Sequence, residues 1–108
     1  MTTMLVEVEI YVEDTGLSSA LTVEGDDVYT VMYLGRTEAL EVADRLEAVV
    51  DGRCHEPFEL RDGLDKLAIE ECGYKEVRIY LNGVRGILDR QAVREIVHDL
   101  RAVWEESE

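Results

Sequence analysis

Asn82-Gly83 constrains the fold of this chain more than any other pair of residues. Both tolerate the positive φ of a type I′ turn, the connection that matches the twist of two antiparallel strands. The runs Glu76 to Leu81 and Val84 to Leu88 on either side are therefore expected to pair as a hairpin.

The rest of the chain can be read outward from that hairpin. Leu5 to Val12 alternates, with Val6, Val8, Ile10 and Val12 on one face and Leu5, Glu7, Glu9 and Tyr11 on the other, which predicts a strand covered on one side. Turn residues at Glu13 to Gly16 and Glu24 to Asp27 divide off two more strands, Ser19 to Val23 and Val28 to Leu34. Thr37 is placed to cap a helix over Glu38 to Val50, with Leu40, Ala43, Leu46, Val49 and Val50 as its buried stripe and Gly52 as its stop. Arg53 to Arg61, which holds Pro57, reads as a loop, and Asp62 as the cap of a shorter helix from Gly63 to Cys72, stopped by Gly73. After the hairpin, Asp89 caps a last helix from Arg90 to about Glu105, with Val93, Ile96, Val97, Leu100, Val103 and Trp104 on one side. The expected fold is α+β: an antiparallel sheet of about five strands packed by two or three helices, in the order βββααββα. With 108 residues and no linker or repeat, one domain over 1–108 suffices.

Charge sets the next limit. The chain holds 25 acidic and 11 basic side chains, a net charge of −14, which disfavours direct binding to a phosphate backbone or an anionic membrane and favours a cationic partner. No apolar run approaches the ~18 residues of a membrane span, and the N-terminus lacks the basic flank of a signal peptide. The expected location is the cytoplasm, that of the host if a phage encodes the chain. Two cysteines exclude a disulfide framework as the main source of stability.

Chemistry-bearing residues are sparse. Cys54, His55, Cys72 and His98 supply the residue types of a zinc site, but structural zinc ligands come in close pairs, and here only Cys54-His55 is close. A cysteine nucleophile would need a base and a cationic setting; Cys54 beside Arg53 and His55 fits that better than Cys72 behind Glu70 and Glu71. His55-Glu56 starts like H-E-x-x-H, but Glu59 stands at the second histidine position and Pro57 breaks the helix. Gly83 and Gly86 lack a following phosphate-binding helix. Carboxylate pairs such as Glu7 and Glu9 are too numerous among 25 acids to single out a catalytic pair. No cofactor, metal or catalytic residue is expected.

The acidity is uneven. Residues 1–72 carry 18 acids against five bases, whereas residues 73–104 carry four against six, including Arg78, Arg85, Arg90, Arg94 and Arg101. Along the first helix, Glu38, Glu41, Asp44, Glu47 and Asp51 recur every three or four residues, which spaces their carboxylates roughly 5 to 6 Å apart. Such a row can imitate the phosphates of a nucleic-acid strand, and Glu7, Glu9 and Glu13 add to it. In size and charge the chain resembles phage-borne anti-restriction and anti-CRISPR proteins, a likeness that carries no residue roles. The expected function is thus a non-enzymatic acidic protein-binding module. Its contact residues are Glu7, Glu9, Glu13, Glu38, Glu41, Asp44, Glu47 and Asp51, and its target is the basic surface of a nucleic-acid-binding protein. The alternatives are a salt-adapted cytoplasmic protein, whose scarcity of lysine would fit, and a small enzyme with no visible site. An acidic half and an arginine-bearing half are also compatible with a homodimer anchored by Trp104.

Overall fold

Alternation along the first segment decides which way its strand faces. The computed structural model describes residues 8–16, 18–71 and 76–105. Within it β1 (Glu9–Asp14), β2 (Ser19–Glu24) and β3 (Tyr29–Leu34) form an antiparallel meander. Its register aligns Ile10 with Val23 and Val12 with Leu21, then Leu21 with Met32. That face enters the core, where Leu21, Val23 and Met32 are fully buried. Leu5, Val6, Glu7 and Leu17 lie outside the described residues.

The first helix, α1 (Arg36–Val50), begins two residues earlier than expected. Its N-cap is Gly35 and not Thr37: Gly35 is extended (φ −71, ψ 177) and its carbonyl accepts the Ala39 amide at 2.9 Å, leaving Thr37 inside the first turn. The buried stripe also takes in Ala39 and Val42 with Ala43, Leu46, Val49 and Val50, while Leu40 sits half-buried at its margin. Gly52, at φ +74, ends the helix as expected.

The expected short helix from Gly63 is instead a hairpin of β4 (Phe58–Asp62) and β5 (Asp65–Glu71). Asp62 pairs with Asp65 across a two-residue Gly63-Leu64 loop, and Gly63 has φ +62, the Gly-first pattern of a type II′ turn. The short stretch satisfies both periods, since Leu64, Leu67 and Ala68 lie at helical spacing while Leu67 and Ile69 alternate. Strand pairing wins because it buries Leu67 and Ile69 completely and leaves only Leu64 outside. The preceding loop therefore stops at Pro57, and Phe58 to Arg61 belong to β4. Cys72 and Gly73 lie outside the described residues.

β6 (Val77–Leu81) and β7 (Val84–Leu88) form the hairpin that Asn82-Gly83 calls for, with φ of 51 and 85 at the two turn residues. They complete a second antiparallel sheet in the order β4-β5-β6-β7. The last helix, α2 (Arg90–Glu105), starts where the Asp89 carboxylate accepts the Ala92 amide at 2.8 Å. The observed order is βββαββββα, with seven strands in two sheets in place of about five in one.

One core joins the layers. Helices α1 and α2 lie against each other, α1 also touching β3, β5 and β6 and α2 touching β1 and β7. Buried residues of both sheets and both helices form a single cluster, with Trp104 half-buried against it. Each fully buried Leu, Ile or Val contributes about 1.5–3 kcal/mol of transfer free energy, so burial rather than surface charge holds the fold. Two contacts between the sheets set their spacing. A Cβ at Gly86 would stand 2.5 Å from Cδ1 of Ile10, and the Asn82 side chain donates to Thr30 Oγ1 on β3 at 2.9 Å. Among the described residues no helix is long and apolar enough to cross a membrane.

Candidate protein-binding surface

A sheet that buries one face must present the other. In the first sheet the outward residues are Glu9, Tyr11 and Glu13 on β1, Ala20, Thr22 and Glu24 on β2, and Tyr29, Val31 and Tyr33 on β3. The register arranges them in rows: Glu9, Glu24 and Tyr29; then Tyr11, Thr22 and Val31; then Glu13, Ala20 and Tyr33. Small Ala20 and Thr22 on the central strand are buried although they point outward, because longer side chains flank them on both sides. Tyr29 and Tyr33 remain 66% and 55% exposed, the kind of aromatic surface that a partner commonly covers.

Among the described residues this face is acidic without compensation. Residues 1–35 contain seven acids and no Lys, Arg or His. None of Glu9, Glu13 and Glu24 has an ion-pair partner among the described residues. The outward face of the second sheet is built differently. Glu59 there pairs with Arg61 at 2.7 Å and Lys66 at 3.6 Å, and Glu70 with Arg78 at 3.0 Å. The hydrogen bond from Arg61, helped by the charge of Lys66, holds the Glu59 carboxyl below its usual range. Arg85 adds a further positive charge to that face.

Glu24 does have one neutral partner. Tyr11 Oη donates to Glu24 Oε2 at 2.7 Å. That hydrogen bond, then desolvation and the charges of Glu24 and Glu13, push the Tyr11 phenol from its ordinary 10 up to about 12. Because the folded pKa is raised, the bond supports the fold fully below about pH 10 and is lost as pH rises through about 12. A tyrosinate absorbance titration should show a late transition that disappears in Tyr11→Phe and moves towards 10 in Glu24→Gln. A late transition unchanged in both variants would show that another tyrosine is responsible.

The acidic row on α1 has a different environment. Asp44 and Glu47 face α2, where Arg101 bridges them at 2.9 and 3.0 Å, and Arg53 approaches Glu47 and Asp51 at 3.7 and 3.5 Å. Glu47 first and Asp44 second raise the Arg101 pKa. The pairs are partly exposed, so each contributes on the order of 1 kcal/mol at most, but they tie the two helices together. Glu38 and Glu41 have no such partner among the described residues. Glu9 and Glu13 thus share a face with the tyrosines, whereas the α1 acids sit on an element packed against the core side of the sheets. Glu7 lies outside the described residues.

The other singled-out residues are dispersed. Arg45, whose guanidinium lies 5.1 Å from the Phe58 ring centroid, donates to Cys54 Sγ at 2.8 Å. His55 Nδ1 is bonded to the Glu71 carboxylate. His98 lines a groove of about 300 Å³ between α1 and α2, with Val50, Val93 and Val97 beneath it and Arg94 beside it. Among the described residues no three His, Cys, Asp or Glu side chains converge as metal ligands. The tyrosine face went unnoticed in the sequence because it needs β1 and β3 to be paired through β2. The available signal was the absence of any cation before Arg36. No protein-family model matches this chain, and no curated protein is similar to it.

Proposed function

We propose that the chain is a non-enzymatic acidic module that binds a basic protein surface of the kind used to hold nucleic acid. The supporting observation is the outward face of the first sheet. Three carboxylates that have no cationic partner among the described residues, and three tyrosines, stand there, and the first 35 residues contain no Lys, Arg or His. Unpaired like charges raise the energy of the isolated protein, and a cationic partner would relieve that repulsion while the tyrosines supply apolar area. In this role the face acts as a charge mimic of nucleic acid and, where the target is a nucleic-acid enzyme, as an inhibitor. Glu38 and Glu41 on α1 form a second, smaller acidic group.

The test is capture from nuclease-treated lysate at ~0.15 M salt, with and without competitor duplex DNA. A nucleic-acid-binding protein should be retained, DNA should displace it, and Glu9→Lys/Glu13→Lys should weaken its retention by about a hundredfold or more. Retention indifferent to both DNA and charge reversal, or no basic protein retained, would overturn the proposal.

A further inference from the structure

We propose that the tyrosine-bearing face selects arginine over lysine, and that its occupant is an extended segment carrying arginines about four residues apart. The inference rests on the acidic-module function above and specifies the partner's chemistry. Tyr29 and Tyr33 lie four residues apart on β3, on the same face and more than half exposed, which separates them by about 13 Å along the strand. An extended chain laid beside β3 repeats at the same interval, so two side chains four positions apart can meet both rings.

The chemistry at each ring favours guanidinium. A planar guanidinium can stack on a tyrosine face while its edge pairs with a carboxylate, whereas the lysine ammonium is a compact, strongly hydrated charge that gains less from the ring. Glu24 is the cross-strand neighbour of Tyr29, about 5 Å away, and its Oε2 already holds the Tyr11 hydroxyl, while its Oε1 has no hydrogen bond among the described residues. Tyr33 shares its row with Glu13, across the small Ala20. Charge complementarity is one-sided here, because the first 35 residues hold no basic side chain and neither carboxylate has an ion-pair partner among the described residues. A guanidinium over an aromatic ring also occurs within the molecule, where Arg45 lies over the Phe58 ring and donates to Cys54 Sγ.

The experiment is fluorescence anisotropy at ~0.15 M salt with labelled oligoarginine and oligolysine peptides of equal length and charge. Oligoarginine should bind about tenfold more tightly. Tyr29→Leu/Tyr33→Leu should remove that preference while leaving weak, equal binding, and Glu9→Lys/Glu13→Lys should weaken both peptides. Circular dichroism melts of the variants, whose altered side chains are exposed, check that folding is intact. Equal affinity of the parent for the two peptides would overturn the arginine preference yet leave the acidic module standing. Binding of neither peptide would overturn both. A parent dimer that Tyr29→Leu/Tyr33→Leu dissociates in sedimentation would assign the face to a second copy and overturn the proposal.

Discussion

Gly86→Val should lower the stability of the protein by about 3 kcal/mol, read as an earlier denaturation midpoint at unchanged slope. The cause is steric. A Cβ at position 86 would sit 2.5 Å from Ile10 Cδ1 and 3.2 Å from Val8 Cγ2, so β7 of the second sheet meets β1 of the first with no room for a side chain. Valine adds two further carbons into that contact, and its preference for strands cannot offset them. Gly86→Ala should cost less, about 1 kcal/mol, because Cδ1 is the end of a flexible side chain and can turn aside. Ile10→Val deletes Cδ1 itself, so adding Gly86→Ala to that background should cost less than it does in the parent. This coupling, measured as a double-mutant cycle, separates the close approach from any general intolerance of β7. A Gly86→Val protein as stable as the parent would show that the sheets do not meet there.

Asn82→Ala should cost about 2–3 kcal/mol although Asn82 is exposed. Its side chain makes three hydrogen bonds: Oδ1 accepts the Lys66 amide at 2.8 Å, and Nδ2 donates to Asp65 Oδ1 at 3.0 Å and to Thr30 Oγ1 at 2.9 Å. One residue thus extends the β5–β6 ladder by one step, holds Asp65 at the start of β5 and reaches across to the first sheet. Its φ of 51 adds to the cost, since alanine is strained in that region where asparagine is tolerated. Asn82→Gly relieves the backbone but keeps none of the bonds, so it should lie between parent and Asn82→Ala. If Asn82→Gly matched the parent in a denaturant titration, the side-chain bonds would carry no net stability.

Both positions show how sequence and tertiary structure divide the explanation. Asn82-Gly83 specified its hairpin and turn type, because two adjacent residues that accept positive φ leave few alternatives. Asp89 and the stripe Val93, Ile96, Val97 and Leu100 specified α2 for the same reason: the information lies within a few neighbouring residues. The segment after Asp62 was ambiguous locally. Its apolar residues fit both helical and strand periods, and only the pairing of β5 with β6 decided between them. The start of α1 likewise depended on the backbone path out of β3, which made Gly35 the cap in place of Thr37.

The candidate surface follows the same division. The sequence by itself determined the negative charge, its concentration before residue 73 and the alternation that turns Glu9, Tyr11 and Glu13 to one side of β1. Tertiary structure decided what each charge faces. Arg101 lies more than fifty residues from Asp44 and Glu47 in the chain, yet α1 and α2 pack together and bring it against both carboxylates. Glu24, Tyr29 and Tyr33 join Glu9 and Glu13 only through the β1-β2-β3 register. Charge and periodicity are properties of single residues and short windows, whereas neutralisation and surface assembly depend on distances that exist only once the chain has folded.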